Sequence, residues 1–300
     1  MDLNTYLLIW ICIIGLCLGS FYNVVIIRSL SGESIVFPPS KCPKCGKKLY
    51  FWHNIPVLSY IILRGKCYFC KEKISIQYPI VELLTMVLFG FSFVKFGISY
   101  TTLFVMFWLS ALLIMTVTDI KEKLVDCNIA IFMAISGIIY AGLNGGLHGI
   151  LHSILGILAG VLIMELIARS GFIFAKTRAM GEADSYVAGA LGAIFGIFGI
   201  VKVLLLSLCI SAIFVIPVFL INRYKKNDKY TLIMAILFAI SGSLFKTVWQ
   251  NYWMLSIFGL IGIGLIYGVL NGIRDEENRC YLPYVPALSL AGGIYLFLGI

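Results

Sequence analysis

This sequence contains little charge. Asp, Glu, Lys and Arg together form only 12% of its 300 residues, and its mean hydropathy is +1.00. Because soluble domains carry about 25% charged residues, the composition excludes an ordinary soluble enzyme. Long polar segments are also scarce, and apolar runs of the roughly 17–25 residues that cross a bilayer follow one another along the chain. The sequence therefore predicts an all-α polytopic integral membrane protein.

The residues that mark several kinds of hydrolase are missing or isolated. The three histidines lie apart, at His53, His148 and His152, and offer no metal triad. Neither a Gly-x-Ser-x-Gly nor a His-Glu-x-x-His motif occurs. Carboxylates are therefore the groups left for acid–base chemistry.

Acidic residues are few: 14 against 23 Lys and Arg, which gives a net charge of +9. Such an excess can indicate a nucleic-acid partner. Here, however, the basic residues fall in a few loops between apolar runs, as in membrane proteins that keep Lys and Arg on the cytoplasmic side. We expect membrane lipid and no nucleic acid as partner.

About ten apolar runs have the length of transmembrane helices. Their approximate bounds are 6–27, 79–96, 101–118, 127–144, 149–168, 184–199, 201–222, 230–247, 252–271 and 283–299. Only Gly199 and Lys202 mark the division between the sixth and the seventh. The first run is predicted to be a span and not a cleaved signal peptide, because no basic residue precedes it and no small-x-small site follows it.

The one long polar segment, residues 28–78, fixes the predicted topology. It holds nine Lys or Arg against two acids and should therefore be cytoplasmic. Alternating the spans from there leaves only Lys95, Lys202 and Lys246 of the 23 basic residues outside. Both chain ends are then outside, while Asp119 and Asp184 lie at the cytoplasmic face.

The polar segment contains two Cys-x-x-Cys pairs, Cys42 with Cys45 and Cys67 with Cys70, separated by 21 residues. Two such pairs can present four thiolates to one tetrahedral structural zinc ion. Disulfides are disfavoured in the cytoplasm, and a small loop with little core needs such a cross-link. The alternative is two reduced or redox-active pairs.

Two aspartates, Asp119 and Asp184, stand where apolar runs meet short charged loops. Carboxylates beside lipid are costly and are usually functional. Peptide hydrolysis without a metal needs one carboxylate to deprotonate water and one carboxylic acid to protonate the substrate. Each aspartate alone could instead cap a helix, as we expect of Asp126 before the fourth span. Near the inner end of the fifth span, Glu165 is expected to pair with Arg169.

Two other classes of function fit parts of the pattern. An ion-coupled transporter also uses carboxylates inside the membrane, but such sites tend to lie near the midplane, between broken helices. A membrane scaffold with a zinc-stabilised loop would tolerate Asn at both aspartate positions. The placement of both aspartates at one membrane face favours a peptidase.

An ordered series of short motifs connects these features. In chain order they are Gly19-Ser20-Phe21-Tyr22-Asn23-Val24-Val25 with Arg28, Pro39-Ser40-Lys41-Cys42-Pro43-Lys44-Cys45, Asn54-Ile55-Pro56-Val57-Leu58-Ser59-Tyr60, Arg64-Gly65-Lys66-Cys67, Ile74-Ser75, Tyr78-Pro79, Glu82-Leu83 and Leu282-Pro283-Tyr284-Val285-Pro286-Ala287. In this series the chain resembles bacterial type IV prepilin peptidases, which remove the leader of type IV prepilins and pseudopilins and N-methylate the product. The resemblance implies two substrates, a prepilin and S-adenosylmethionine as methyl donor.

The resemblance also implies site residues. The family's D-x6-D stretch maps onto Asp119 and Asp126, and its GxGD motif maps onto residues 181–184, ending in Asp184. Asp119 and Asp184 are thus the expected catalytic pair, at the cytoplasmic face of a bacterial inner membrane. Ala183 replaces the second glycine of GxGD and cannot easily take a positive φ. No residue is assigned to binding the methyl donor.

The expected organisation follows. Residues 1–27 form the first transmembrane helix, and residues 28–78 form the cytoplasmic zinc loop, to which we assign methyl transfer. Residues 79–222 form the transmembrane aspartyl peptidase core. Residues 223–275 add spans beyond the eight expected from the family, and residues 276–300 hold the last transmembrane helix.

Overall fold

The computed structural model describes residues 2–34, 36–37, 39–175, 181–225, 233 and 283–299. Its α-helices, numbered in chain order over these residues, are α1 Leu3–Ser31, α2 Leu58–Ile62, α3 Gln77–Phe96, α4 Tyr100–Glu122, α5 Cys127–Ala175, α6 Glu182–Lys225 and α7 Val285–Leu298. A 3-10 turn, Phe51–Asn54, precedes α2. The predicted all-helical class is confirmed over this part of the chain.

Five of the described helices are long and apolar enough to cross a membrane: α1, α3, α4, the segment Cys127–Arg169 of α5 and the segment Glu182–Ser211 of α6. The shorter α7 is also apolar. Both α5 and α6 contain a break in helical geometry, so each covers two of the predicted spans. The predicted spans at 230–247 and 252–271 lie outside the described residues, and the count of ten stays a prediction.

Glycines make both breaks. Gly146 has φ 55° and ψ −140°, and Gly196 has φ 69° and ψ −175°, conformations that residues with a Cβ rarely adopt. The second break, at Gly196, lies three residues before Gly199, which the sequence had marked as the division between the two spans. Gly149, after the break at Gly146, approaches the backbone of Ala141 before it, so the two parts of α5 run antiparallel.

Small residues let the long helices approach closely. A Cβ placed on Gly156 would overlap the carbonyl oxygen of Gly192, and a Cβ on Gly192 would overlap that of Gly156. In the same way Gly19 of α1 approaches α3, where an added Cβ would lie 2.7 Å from the Cα of Glu82. Such contacts between helix backbones provide van der Waals packing where no hydrophobic drive exists between helices in lipid.

The main core joins α4, α5, α6 and α7. Trp108, Met133, Met164, Leu191 and Leu288 are among its fully buried side chains. The helix α7 packs against both α4 and α6. Its first residue is hydrogen-bonded to the last turn of α4, and the residue before it interacts electrostatically with the first turn of α6. The core therefore brings three helix ends together at one end of the bundle.

We predict that Gly192→Ala destabilises the protein, because the new methyl group has no space beside Gly156. Overpacking of this kind costs about 1–3 kcal/mol of unfolding free energy. The matched control is Gly145→Ala, since nothing lies within 4 Å of a Cβ at Gly145. Unfolding of both variants in the same detergent would be compared with wild type; equal stability of Gly192→Ala and wild type would contradict the close helix crossing.

Candidate active site and metal centre

Asp119 lies in the last turn of α4 and is buried, with 6% of its surface exposed. A negative charge at the C-terminal end of a helix meets the negative end of the helix dipole. Here the carboxylate Oδ2 accepts a hydrogen bond of 3.1 Å from the backbone N–H of Val285, the first residue of α7. The partial positive charge at the N-terminal end of α7 thus offsets the repulsion between the Asp119 carboxylate and the C-terminal end of α4.

Asp184 lies in the first turn of α6 and is 7% exposed. Its Oδ2 accepts a hydrogen bond of 3.0 Å from the backbone N–H of Gly181, just before the helix. An acidic side chain that binds the N–H at a helix start satisfies a backbone donor and favours the helix dipole. The capping role considered from the sequence is therefore real, and it fixes the direction of the Asp184 carboxylate.

The start of α7 connects the two aspartates. Asp119 binds the N–H of Val285, and Asp184 lies close enough to interact electrostatically with Tyr284, the preceding residue. The Tyr284 hydroxyl is itself held by Ser207 of α6, at 2.6 Å. Two buried carboxylates from different helices thus interact with consecutive residues, Asp119 with Val285 and Asp184 with Tyr284. A pair of carboxylates can carry out acid–base chemistry.

The sequence alone indicates no role for Tyr284 or Val285 beyond their place in a motif. Their motif contains Pro286, and proline is favoured in the first turn of a helix, so a helix start could be inferred there. Contact with Asp119, 166 residues away, could not. Asp126, by contrast, caps α5 as expected: its Oδ1 accepts a hydrogen bond of 2.9 Å from the N–H of Asn128.

The four predicted metal ligands do come together. The sulfur atoms of Cys42, Cys45, Cys67 and Cys70 all lie within 4.8 Å of one another, and Cys42 Sγ is 3.9 Å from Cys70 Sγ. A tetrahedral ion with metal–sulfur distances of about 2.3 Å requires sulfur atoms about 3.8 Å apart. The donor set therefore fits one tetrahedral, thiophilic metal ion.

The two Cys-x-x-Cys turns have the same backbone hydrogen bonds. In each, the N–H of the first cysteine donates to the fifth residue after it, and the fourth residue donates back to that cysteine. Those fourth residues are Gly46 and Lys71, both with a positive φ. Hydrogen bonds from the backbone N–H of Cys70, and then of Phe69, lower the pKa of Cys67 to about 7. The thiolate, which is the ligand form, is thereby favoured.

A third buried carboxylate joins the helix bundle to the loop that holds the four cysteines, which lies within residues 28–78 and is called the cysteine loop below. Glu82 of α3 accepts a hydrogen bond of 2.7 Å from the N–H of Val57, whose φ of 59° is strained for a β-branched residue. Beside it, the buried Asn23 of α1 binds the carbonyl of Tyr78 and the side chain of Gln77. Glu82 thus ties the loop to α3, and Asn23 joins α1 to the first turn of α3.

Two protein-family models match most of the first 216 residues of this chain. Residues 13–96 match the family model described as the Bacterial Peptidase A24 N-terminal domain, and residues 103–216 match the Type IV leader peptidase family. No solved structure matches the chain.

Curated relatives bear the name Prepilin leader peptidase/N-methyltransferase. One from Neisseria gonorrhoeae is 30% identical, over 81% of this chain and 93% of that protein. One from Bacillus subtilis is 32% identical, over 72% of this chain and 85% of that protein. One from Myxococcus xanthus is also 32% identical, but over 66% of this chain and 59% of that protein.

We predict that Cys42→Ser and Cys67→Ser each abolish stoichiometric metal binding, because an alcohol is a poor replacement for a thiolate ligand. The purified variants would be analysed by elemental mass spectrometry, and limited proteolysis would report unfolding of the loop. Cys127→Ser, a change outside the cluster, is the control and should keep the metal. Unchanged metal content in Cys42→Ser or Cys67→Ser would rule out the metal centre.

Proposed function

This chain belongs to the type IV leader peptidase family, and we propose that it is a membrane aspartyl endopeptidase that removes the short basic leader of type IV prepilins or pseudopilins. The observation that best supports the mechanism is that consecutive residues at the start of α7 interact with the two aspartates, Val285 by a hydrogen bond to Asp119 and Tyr284 electrostatically with Asp184. We place the enzyme in a bacterial inner membrane, with these carboxylates at the cytoplasmic face.

In the proposed mechanism the two aspartates share one proton, because two buried neighbouring carboxylates resist being ionised together. The ionised carboxylate takes a proton from water, whose oxygen attacks the carbonyl carbon of the peptide bond. The other aspartate gives its proton to the carbonyl oxygen. When the tetrahedral intermediate collapses, the C–N bond breaks, the nitrogen receives a proton from the first aspartate, and the second regains one from the intermediate.

The location of the pair suits such a substrate. A peptide with a basic leader and an apolar helix places its cutting site at the membrane surface, since the leader stays in water and the helix in lipid. Asp119 near the end of α4 and Asp184 at the start of α6 both lie at helix ends. No substantial movement of the substrate into the bilayer is then required.

We further propose that the metal is a structural Zn²⁺ ion held by Cys42, Cys45, Cys67 and Cys70. Four thiolates close the coordination sphere and leave no position for a reactive water molecule. The ion would stabilise the fold of a loop that has little core of its own. Hydrolysis is therefore assigned to the aspartates alone.

The loop is also the proposed region of N-methylation, in which S-adenosylmethionine supplies a methyl group to the new terminal amine. Its residues fit such a donor. Rings of Tyr50, Trp52, Tyr68 and Phe69 surround His53 at centroid distances of 5.1–5.8 Å, and within the described chain the buried His53 Nε2 has no hydrogen-bond partner. Aromatic faces attract a sulfonium cation, and the ring nitrogen can bind a polar heterocycle.

We predict that Asp119→Asn and Asp184→Asn each abolish leader removal, by a factor of about 10³ or more, because either change removes one half of the acid–base pair. A prepilin co-expressed with each enzyme would be examined by intact-mass spectrometry. Wild type should yield a product that lacks its leader and carries one extra methyl group.

The matched control is Asp126→Asn, since Asn also caps helices and Asp126 binds only the start of α5 in the contacts described. It should process the substrate normally. Normal processing by Asp119→Asn or Asp184→Asn would remove that aspartate from the pair and favour a transporter or scaffold.

A further inference from the structure

The cysteine loop exposes large apolar side chains around the short helix α2. Leu58, Ile61 and Ile62 lie on one face of α2, since residues three and four apart are neighbours on a helix. Together with Phe51, at the start of the 3-10 turn that packs against α2, they are 58–83% exposed. These four side chains are called the α2 surface below. A cluster of exposed apolar groups marks a site of interaction with a partner or a membrane.

The α2 surface begins beside a helix that is long enough to span a membrane. The N–H of Val57, the residue before α2, donates to the Glu82 carboxylate at 2.7 Å. Glu82 lies in the second turn of α3, whose 20 residues extend over about 30 Å, the thickness of a hydrocarbon core. The helix α2 therefore starts level with the first turns of α3, where a bilayer around that span has its interface with water.

The loop around this surface is strongly basic. Between residues 39 and 76, all of which the structure describes, Glu72 is the one acid. Four thiolates around a divalent ion carry a net charge of −2, so an excess of five positive charges remains with the proposed zinc ion bound. The eight basic side chains of this range are all exposed: Lys41, Lys44, Lys47, Lys48, Arg64, Lys66, Lys71 and Lys73.

Cations stand on both sides of the α2 surface along the chain. Lys48 precedes Phe51 by three residues, and Arg64 follows Ile62 by two. None of the eight basic side chains forms an ion pair within the part of the chain that the structure describes. Apolar groups with cations beside them match the boundary between the acyl chains and the anionic headgroups of a bilayer.

Other partners fit this surface less well. Nucleic acid is anionic, but the aliphatic side chains of Leu58 and Ile62 provide no ring on which its bases could stack. The basic leader of the proposed substrate has the same sign of charge as the loop and is repelled by it. A lipid surface with anionic headgroups matches both the charge and the aliphatic groups, and α2 starts at the level of that surface.

We propose that the α2 surface docks onto the bilayer that holds this chain, with its apolar side chains among the upper parts of the acyl chains and the neighbouring cations on anionic headgroups. The inference goes beyond the proposed function, because it requires only that the long apolar helices lie in a membrane. Docking fixes the cysteine loop against the bilayer surface, so that its two ends are not its only attachment to the membrane.

The test uses the full-length protein in nanodiscs that hold one copy each, made of phosphatidylcholine alone or with added phosphatidylglycerol. Hydrogen exchange of residues 58–65, measured by mass spectrometry, reports whether α2 is covered, because a one-turn helix in water opens readily. Exchange should be at least about tenfold slower with phosphatidylglycerol, as expected when two or more cations meet an anionic surface.

A pair of variants at one position tests the apolar part. Ile62→Gln should restore fast exchange in the anionic nanodiscs, because a polar side chain is poorly accommodated among acyl chains. Ile62→Leu, which keeps the apolar surface, is the matched control and should exchange as slowly as wild type. Since Ile62 is exposed, neither change should disturb the fold, and an unchanged metal content would verify this.

A second pair tests the charges. Arg64→Gln combined with Lys66→Gln should remove most of the difference between the two lipid mixtures, because both exposed cations lie just after α2. The swap of Arg64→Lys with Lys66→Arg preserves both charges and should keep that difference.

Several results would overturn the docking. Equal exchange of α2 in the two lipid mixtures would do so, as would equal exchange in wild type and Ile62→Gln. Slowing that appears only after a prepilin or an acidic soluble protein is added would assign the surface to a protein partner instead. None of these measurements uses leader removal, so a failure of the proposed peptidase activity leaves the test unaffected.

Discussion

Burial of carboxylates within a bundle of apolar helices is the constraint on which this structure depends. An ionised carboxylate in a medium of low dielectric constant must receive hydrogen bonds from donors that are already in place. Asp119 obtains one from the first N–H of α7, and Asp184 one from the N–H before α6. Free backbone N–H groups occur at helix starts, so the site had to form where helices begin.

Helix packing fixes those starts. The contact between Gly156 and Gly192 sets α5 directly against α6, and the core around Leu191 and Leu288 sets α7 against both α4 and α6. The cysteine loop is held in a way similar to the start of α7, because the buried Glu82 carboxylate accepts a hydrogen bond from the backbone N–H of Val57. In the proposed peptidase site, a buried acidic residue of α4 holds the backbone at the start of α7. In the cysteine loop, a buried acidic residue of α3 holds the backbone of the loop.

The sequence correctly predicted the features that depend on residue type and on short spacing along the chain. The Asp126 cap, the Glu165–Arg169 pair and the convergence of four cysteines follow from residue type and short spacing, and all are confirmed. The meeting of Asp119 with Val285 depends on tertiary packing across 166 residues, for which no local periodicity exists. The break at Gly196, in place of Gly199, shows that spacing cannot say which of two glycines takes a positive φ. The ten-span count, the zinc ion and the methyl donor stay predictions.

We propose that Asp119 and Asp184 act as one pair with a single shared proton. The most direct test is the pH dependence of kcat/KM for leader removal, measured with the full-length enzyme in detergent. A shared proton requires a bell-shaped profile, since protonating both carboxylates removes the base and ionising both removes the acid. A rate that rises with pH to a plateau, with no fall on the alkaline side below the pH of denaturation, would contradict it.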